Sequence, residues 1–271
     1  HAVGQLLWTV LGRRNLVRVG RFLTNYSRLD LPNDMHSNGE LLVHRVLIDH
    51  LPDEEAVVFD VGANLGLWTT HLLHAAEASP KTTPRVCLFE PSKTTYESLC
   101  RTLEAAPFAG RARAFNHGMS DSAGEATFYV LGAEDGAHSL YDQASLSGST
   151  TKQTIELKTI DGFCAEQSID RLHFVKTDIE GNDFRALQGA ETMLRDKRIE
   201  ALQFEYNHRW IPARHYLRDA YALFADLPYR IGYLTPRGVG WQPHWDPSME
   251  NYYEANYLAV RDDVVSSLST L

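Results

Sequence analysis

Acidic and polar side chains follow two apolar segments in the second half of the sequence. Asp178 comes directly after the segment Phe174–Thr177, while Glu205 ends the segment 201–205 and His208 lies three residues further on. If both segments are parallel β-strands, their carboxyl ends meet at the edge of the sheet where such folds bind ligands. Carboxylate and imidazole groups held there can take a proton from a substrate hydroxyl. The sequence therefore predicts acid–base chemistry at this edge.

Each of these candidate catalytic residues has a distinct expected role. Lys176 shares a strand face with Asp178, so we predict an ion pair that sets the charge or orientation of Asp178 or merely anchors the strand end. His208 is the natural general base because its ordinary pKa lies near neutrality, and Glu205 could act as the base if an apolar wall raised its pKa. Asp178, Glu205 and Asn207 could alternatively hold Mg²⁺. A metal-free site is the main prediction, and magnesium is the alternative.

A glycine-containing turn follows the first predicted strand, Val57–Val61. It reads DVGANLG from Asp60 to Gly66. Glycine allows the backbone to approach a ligand closely, and the helix that follows offers free N–H groups. Dinucleotide-binding enzymes use the spacing G-x-G-x-x-G, which Gly62 and Gly66 do not have. A nicotinamide-dependent oxidoreductase is therefore a disfavoured alternative.

An acidic residue also ends the second predicted strand. Glu90 and Pro91 follow Arg85–Phe89, 30 positions after Asp60. A carboxylate there can accept both hydroxyl groups of a ribose, as in nucleotide-binding doubly wound folds. A cofactor with a ribose and an amino-acid carboxylate, but without phosphates, fits both turns. S-adenosylmethionine is such a molecule.

Short apolar runs alternate with amphipathic helical patterns from residue 56 onward, which predicts a doubly wound α/β fold with a mostly parallel sheet. The expected strands are 57–61, 85–89, 113–116, 174–177, 201–205, 229–234 and 256–260, and the expected helices are 40–50, 67–78, 94–105, 183–195 and 213–225. The last two strands have no helix between them and suit an antiparallel pairing.

The chain divides into an N-terminal helical appendage, residues 1–52, and a catalytic domain, residues 53–271. We expect the appendage to be a lid or an oligomer contact, which leaves a homodimer open. Within the catalytic domain, the β-patterns 126–131 and 154–160 predict a β insertion at about 122–160. It is expected to form a partly mobile loop on the ligand side of the sheet, with a polar stretch at 145–151.

Composition narrows the partners. The net charge is −9 and the pI is about 5.7, whereas a protein that follows a nucleic-acid backbone usually carries a basic field. The three cysteines form no C-x-x-C pair and suggest reduced thiols in a cytoplasmic protein. The N-terminal segment interleaves arginines with apolar residues, but membrane binding is disfavoured relative to packing against the catalytic domain.

Taken in order, the motifs resemble those of the FkbM family of methyltransferases. The matching segments are DVGANLG at 60–66, FEP at 89–91, FVKTDIEG at 174–181, the pattern Leu187-x-Gly189-Ala190, and QFEYN at 203–207. The resemblance runs from about residue 40 to residue 260. It implies a class I methyltransferase fold, Rossmann-like, with a seven-stranded sheet whose last strand is antiparallel. It also implies S-adenosylmethionine as the cofactor and, commonly, O-methylation in natural-product or glycan pathways.

The resemblance also implies individual cofactor contacts. Gly62, Ala63 and Asn64 would line the methionine part, near Asp60 and Asp178, and Glu90 with Pro91 would hold the ribose. Met119 would stack on the adenine or simply fill the core, and Ser120 or Asp121 would bond the amino edge of the ring. Glu40 would reach the amino group of the cofactor.

We therefore expect an S-adenosylmethionine-dependent methyltransferase that methylates a hydroxyl group of a small molecule such as a natural product or a sugar. An N-methyltransferase acting on a small molecule or a peptide is an alternative. However, the Asn/Asp-Pro-Pro-Tyr signature common in such enzymes is absent after the fourth strand, where the sequence reads Asp178-Ile179-Glu180-Gly181.

Overall fold

The central feature of the molecule is a mixed eight-stranded sheet. A computed structural model describes residues 2–28, 34–52, 55–79, 83–105, 108, 110–131, 140 and 150–265. The sheet order is β10-β9-β11-β8-β7-β1-β2-β3. Its strands are β1 (Val57–Val61), β2 (Arg85–Phe89), β3 (Ala112–Phe115), β7 (Phe174–Thr177), β8 (Ala201–Tyr206), β9 (Tyr229–Thr235), β10 (Gly238–Trp241) and β11 (Ala255–Arg261).

The pairing directions are those of a class I methyltransferase sheet. Five neighbouring strands, β3, β2, β1, β7 and β8, pair in parallel. β11 lies antiparallel between β8 and β9. The predicted count of seven strands was too low by one. Gly238–Trp241 folds back on Tyr229–Thr235 as an antiparallel hairpin strand, and its four residues with two glycines give little strand signal.

Helices cover both faces of the sheet. The helices are α1 (Ala2–Arg28), α2 (Glu40–His50), α3 (Leu67–Glu77), α4 (Lys93–Ala105), α5 (Ile160–Glu166), α6 (Asp183–Gln188), α7 (Glu191–Arg195), α8 (Trp210–Ala213), α9 (Leu217–Phe224) and α10 (Asp262–Val265). Because side chains alternate along a strand, Val58 and Phe59 enter different hydrophobic clusters, one on each face. Strands buried on both faces explain the continuous apolar runs in the sequence.

Two predicted helices are each interrupted. The segment 183–195 forms α6 and α7, separated at Gly189, where a β-carbon would overlap the carbonyl oxygen of Ser120. The segment 213–225 is not one helix either. Its first residue ends α8, Arg214 takes a left-handed conformation with φ 59°, and α9 starts at Leu217.

The β insertion forms a second sheet with three strands, β4 (Gly118–Met119), β5 (Gly124–Leu131) and β6 (Thr150–Lys158), in the order β4-β6-β5. The second predicted strand, 154–160, ends earlier than expected because Thr159 caps α5, its Oγ1 accepting from the Gly162 N–H at 2.9 Å. The predicted polar stretch 145–151 lies outside the described residues except for Thr150 and Thr151, which begin β6, and the expected mobility of the insertion stays a prediction.

The N-terminal region contains the two expected helices. α2 packs into the same hydrophobic cluster as the sheet through Val43, Val46 and Ile48. α1 is kinked at Gly12 and keeps most of its side chains exposed. No helix in the described parts of the chain is both long enough and apolar enough to cross a membrane. A role of these helices as a lid or an oligomer contact stays a prediction.

Candidate active site

The turn after β1 brings backbone from two strands into contact. The N–H groups of Gly62 and Ala63 donate to the Phe89 carbonyl at 3.0 and 3.1 Å. Gly62 has φ 84°, and a β-carbon there would overlap the carbonyl oxygen of Asp178. Asp60 lies beneath the turn, fully buried, and accepts from Thr69 Oγ1 at 2.6 Å. Burial raises the pKa of Asp60, whereas nearby Lys176 acts to lower it.

Glu90 is held at the end of β2 by backbone donors. Its carboxylate accepts from the Asn64 N–H at 3.1 Å and from the Ser92 N–H at 2.8 Å, and the residue is 5% exposed. Burial raises the pKa of Glu90 to about 7, although both N–H groups act to lower it. A carboxylate offers about four lone-pair directions, so two remain for the hydroxyls of a ribose.

These turns open into a cleft of about 510 Å³, part of it in contact with open solvent. We call it the cofactor cleft. It is lined by Gly62, Asn64, Glu90, Pro91, Gly118, Met119, Phe128, Leu140, Ile155, Leu157, Asp178, Ile179, Glu180 and Asn182. The lining combines polar groups that follow β1, β2 and β7 with apolar side chains contributed by the small sheet. Polar groups suit a ribose, and apolar side chains suit a flat ring.

Asp178 lines both the cofactor cleft and a second, adjoining space, which is described below. The predicted ion pair is present, with Lys176 Nζ 2.9 Å from Asp178 Oδ2. Lys176 is buried, and burial alone would lower its pKa, but Asp178, Glu40 and Asp60 together raise that pKa above the ordinary value. The lysine therefore stays charged and fixes Asp178.

The second space is lined almost entirely by polar groups and encloses about 930 Å³, including open solvent. We call it the polar cavity. It is lined by Asn38, Glu40, Gly62, Asn64, Asp178, Glu180, Glu205, Arg209, Glu254 and Asn256. Gly62, Asn64, Asp178 and Glu180 line both spaces, so the two adjoin.

Glu205 contributes a buried carboxyl group to the polar cavity. It accepts from Asn207 Nδ2 at 2.6 Å and is 6% exposed. Burial, followed by the charges of Asp178 and Glu180, raises the pKa of Glu205 well above its ordinary value. When it is ionised, such a carboxylate is a stronger base than an ordinary glutamate, which suits the removal of a proton from a hydroxyl group.

Glu180 and Arg209 form an ion pair across the polar cavity, with Glu180 Oε2 2.6 Å from Arg209 Nη1. Burial and the neighbouring Asp178 raise the pKa of Glu180 to about 8, against the lowering effect of Arg209. Arg209 is the one cationic side chain among the residues that line this cavity, beside several carboxyl groups.

Glu40 lines the polar cavity from the start of α2. Its carboxylate accepts from Gln203 Nε2 at 2.9 Å and from Asn38 Nδ2 at 3.0 Å. Gln203 Nε2 also donates to Asn256 Oδ1 at 3.1 Å. These contacts hold Glu40 close to the wall shared by the two spaces, and its contact with a cofactor amino group stays a prediction.

Other predicted residues are placed differently. The His208 side chain is exposed and lines neither space, so the structure does not bring it to the candidate base position. Met119 lines the cofactor cleft although it is 1% exposed, which fits both expectations for it. Ser120 is buried beside the cleft, where its Oγ donates to Asp121 Oδ1 at 3.0 Å. Ala63 is buried behind Gly62 and lines neither space.

The alternative magnesium site does not assemble. Asn207 turns its amide nitrogen toward Glu205, while its oxygen accepts from the Arg209 N–H at 2.8 Å. The amide nitrogen of Asn207, rather than its oxygen, therefore faces Glu205. Within the described ranges, no three His, Cys, Asp or Glu side chains lie together in a way that could hold a metal ion. The magnesium alternative is unsupported.

Several lining residues have no counterpart among the predicted ones. Asn182 is 2% exposed, and its Nδ2 donates to the Met119 carbonyl at 2.9 Å. A carbonyl needs a donor, which fixes the amide orientation and leaves the buried Oδ1 of Asn182 as an acceptor with no hydrogen-bond partner among the described residues. Arg209 and Glu254, which line the polar cavity, were also not expected. Their positions depend on loops that carry no motif.

Comparison with known proteins bears on this arrangement. The family described as Methyltransferase FkbM domain matches residues 60–231, well over half of the chain. The chain belongs to the FkbM-domain methyltransferase family. Membership implies S-adenosylmethionine as the methyl donor, in agreement with a site that has a buried carboxylate at the end of β2 and no dinucleotide glycine pattern.

Three proteins similar to this chain share only a small part of its sequence. Methyltransferase sdnD of Sordaria araneosa is 26% identical over 171 residues, covering 53% of this chain and 63% of that protein. Methyltransferase FkbM from Methylobacillus flagellatus KT superposes with a TM-score of 0.49 at 20% identity, over 78% of this chain and 45% of that one. An O-methyltransferase from Bacillus cereus in complex with SAH superposes with a TM-score of 0.45 at 12% identity, over 96% and 97%. The chain thus spans less than two thirds of sdnD.

The hydrogen-bond acceptors and apolar side chains of the cofactor cleft are compatible with S-adenosylmethionine. Glu90 keeps free lone pairs for ribose hydroxyls, Met119 and Phe128 offer apolar surface to a ring, and the buried oxygen of Asn182 can accept from an exocyclic amino group. Gly62 lets the turn lie directly against the Asp178 backbone, where a β-carbon would overlap the Asp178 carbonyl oxygen.

Proposed function

We propose that this chain transfers a methyl group from S-adenosylmethionine to a hydroxyl oxygen of a small molecule. The observation that carries the proposal is the shared wall of the two spaces, where Asp178 and Glu180 face both. A donor in the cofactor cleft and an acceptor in the polar cavity would meet at this wall. S-adenosylmethionine, when bound, supplies an electrophilic methyl group.

The lining of the polar cavity supports a hydroxylated acceptor. Its walls offer carboxylates, amides and one guanidinium but almost no apolar surface. Hydroxyl groups can donate to the carboxylates and accept from Arg209, so a sugar or a hydroxylated natural product matches this set of partners. The acidic lining and the net charge of −9 also favour a small molecule over a nucleic acid.

Removal of the hydroxyl proton is the task that the protein's own residues must perform. Glu205 has the required properties, since it lines the polar cavity and its pKa is raised well above the ordinary value. Its hydrogen bond from Asn207 leaves the second carboxylate oxygen to accept the proton. Asp178, held by Lys176, orients the acceptor at the wall between the two spaces.

Isothermal titration with S-adenosylhomocysteine tests the cofactor half of the proposal, with NADH as the comparison ligand. We expect saturable binding of the homocysteine derivative, weakened by Glu90→Ala and retained in Asp178→Ala. Absence of binding in the folded wild-type chain, or binding of NADH instead, would contradict a methyltransferase.

Transfer of a ¹³C-labelled methyl group to a panel of sugars and hydroxylated natural products tests the second half. The expected product is a methyl ether, identified by the chemical shift of the labelled carbon. Glu205→Gln should lower kcat by about a hundredfold or more, the usual contribution of a general base, and Asp178→Ala should abolish turnover. A labelled N-methyl product would replace O-methylation by the alternative reaction.

A further inference from the structure

Most of the large apolar side chains that lie exposed among the described residues belong to α1. The helix contributes ten of fifteen such side chains, namely Val3, Leu6, Leu7, Trp8, Val10, Val17, Val19, Phe22, Leu23 and Tyr26. Single exposed apolar residues are ordinary on a protein surface, but a contiguous group marks an interaction site. α1 therefore presents a candidate interaction surface.

The part of α1 after Gly12 has two chemically distinct faces. Gly12 breaks the helix with φ 68° and ψ 161°. Beyond it, Val19, Phe22, Leu23 and Tyr26 recur at helical spacing and form an apolar stripe, in which the rings of Phe22 and Tyr26 stack 6.0 Å apart. Helical spacing places Arg14, Arg18 and Arg21 on the opposite side.

The charge of α1 contrasts with that of the rest of the chain. The helix contains five arginines and no acidic residue, so it carries +5, and since the whole chain carries −9, the remainder carries −14. The part before Gly12 has no charged side chain at all and exposes Trp8, a residue type that prefers membrane interfaces. A partner that complements α1 must therefore have negatively charged groups next to an apolar region into which the apolar side chains can insert.

We propose that α1 binds the surface of an anionic phospholipid bilayer. The apolar stripe would enter the boundary between head groups and acyl chains, while the arginines contact the lipid phosphates. Pairing with α1 of a second copy is less suitable, because the stripe from Val19 to Tyr26 covers about 11 Å of helix. A stable coiled coil needs three to four heptads.

Co-sedimentation of the 271-residue chain with lipid vesicles tests this proposal. Vesicles of phosphatidylcholine mixed with phosphatidylglycerol should bind the protein, and vesicles of phosphatidylcholine alone should not. Raising the salt concentration should weaken binding, because it screens exposed charges. The triple substitution R14E/R18E/R21E should weaken partitioning by about a hundredfold, given the usual contribution of each arginine near an anionic surface.

Matched variants distinguish the contributions of the apolar stripe and of the arginines from effects of charge or misfolding in general. Val19→Ser and Leu23→Ser remove apolar groups from the stripe and should weaken partitioning roughly tenfold or more together, whereas Val17→Ser, on the arginine side, should leave it unchanged. Arg111→Glu, exposed on the catalytic domain, controls for charge alone. An unchanged melting temperature shows that each variant is folded.

Two results would overturn the proposal. One is equal sedimentation of wild type and R14E/R18E/R21E with anionic vesicles. The other is a dimer in sedimentation equilibrium that Leu23→Ser dissociates, without any vesicle binding, which would assign the stripe to a second copy. Neither result depends on whether the chain transfers methyl groups.

Discussion

At the scale of single residues, we expect the buried amide of Asn182 to affect which ligands the cofactor cleft binds. Its nitrogen is committed to the Met119 carbonyl, and its oxygen is a buried acceptor. An unpaired buried acceptor costs free energy unless a bound ligand donates to it. The exocyclic amino group of adenine is such a donor, whereas the carbonyl of hypoxanthine is not.

We therefore predict that the wild-type chain binds S-adenosylhomocysteine more tightly than S-inosylhomocysteine, by about tenfold. Asn182→Ala should remove most of this preference, because it removes the acceptor. Calorimetric titration of both ligands measures the ratio. Asn251→Ala, the same change at an exposed site away from both spaces, should keep the ratio, and a preference that survives in Asn182→Ala would assign the adenine edge to another group.

Some side-chain contacts could be predicted from sequence, and others could not. Alternation along one strand was sufficient to predict the Lys176–Asp178 ion pair. The position of His208 in the sequence, shortly after β8, was not sufficient to predict whether its side chain enters the site. The structure shows that this side chain is exposed. Asn182 was missed because its role arises from contact with Met119, 63 positions earlier in the chain. Contacts across such distances depend on the tertiary fold.

At the scale of elements, the turn after β1 depends on one glycine. Gly62 needs both a positive φ and the absence of a β-carbon, because the Asp178 backbone lies directly against it. Gly110 also has a positive φ, 77°, but nothing lies within 4 Å of where its β-carbon would be. The two positions therefore separate the cost of conformation from the cost of overlap.

Gly110→Ala should lower the free energy of unfolding by about 1 kcal/mol, the usual cost of a left-handed conformation. Gly62→Ala should cost several kcal/mol, because the strand end must also shift away from Asp178, and it should weaken S-adenosylhomocysteine binding as well. Urea denaturation and calorimetric titration measure the two effects. Equal losses of stability in both variants would mean that the turn tolerates a β-carbon.

The elements themselves were predicted well where periodicity was strong. The parallel strands and α2 to α4 agree with the sequence patterns within a few residues. The interruption at Gly189 was missed because an apolar helical pattern continues across it, while the close approach of Ser120 forbids a side chain there. The hairpin strand Gly238–Trp241 was missed because four residues with two glycines give little strand signal.

At the scale of the whole molecule, buried titratable groups couple stability to pH in two opposite ways. Burial, the largest cause in each case, raises the pKa of Glu90 and Asp183 to about 7 and that of Glu180 to about 8. Burial also lowers the pKa of His44 to about 3 and that of His117 to about 4. The site thus concentrates carboxyl groups that resist ionisation.

The sign of each effect follows from proton linkage. Between pH 4.5 and 8, the folded carboxyl groups retain protons that the unfolded chain has lost, so stability falls as pH rises. Below pH 6.5, the unfolded chain protonates His44 and His117 while the folded chain does not, so stability rises with pH there. The two effects oppose each other below pH 6.5, and the carboxyl groups alone act above it.

The ligand-free chain should therefore lose on the order of 3 kcal/mol of stability between about pH 6.5 and 8.5, measured by urea denaturation at each pH. Glu205→Gln should reduce this loss and raise the melting temperature at pH 8, because it removes a carboxyl group whose pKa burial raises and keeps an acceptor for Asn207. The exposed change Glu104→Gln should leave the profile unaltered. If stability instead increased above pH 6.5, burial would not raise the pKa of these carboxyl groups in the folded chain. Glu205 would then lack the raised basicity that the proposed proton removal requires.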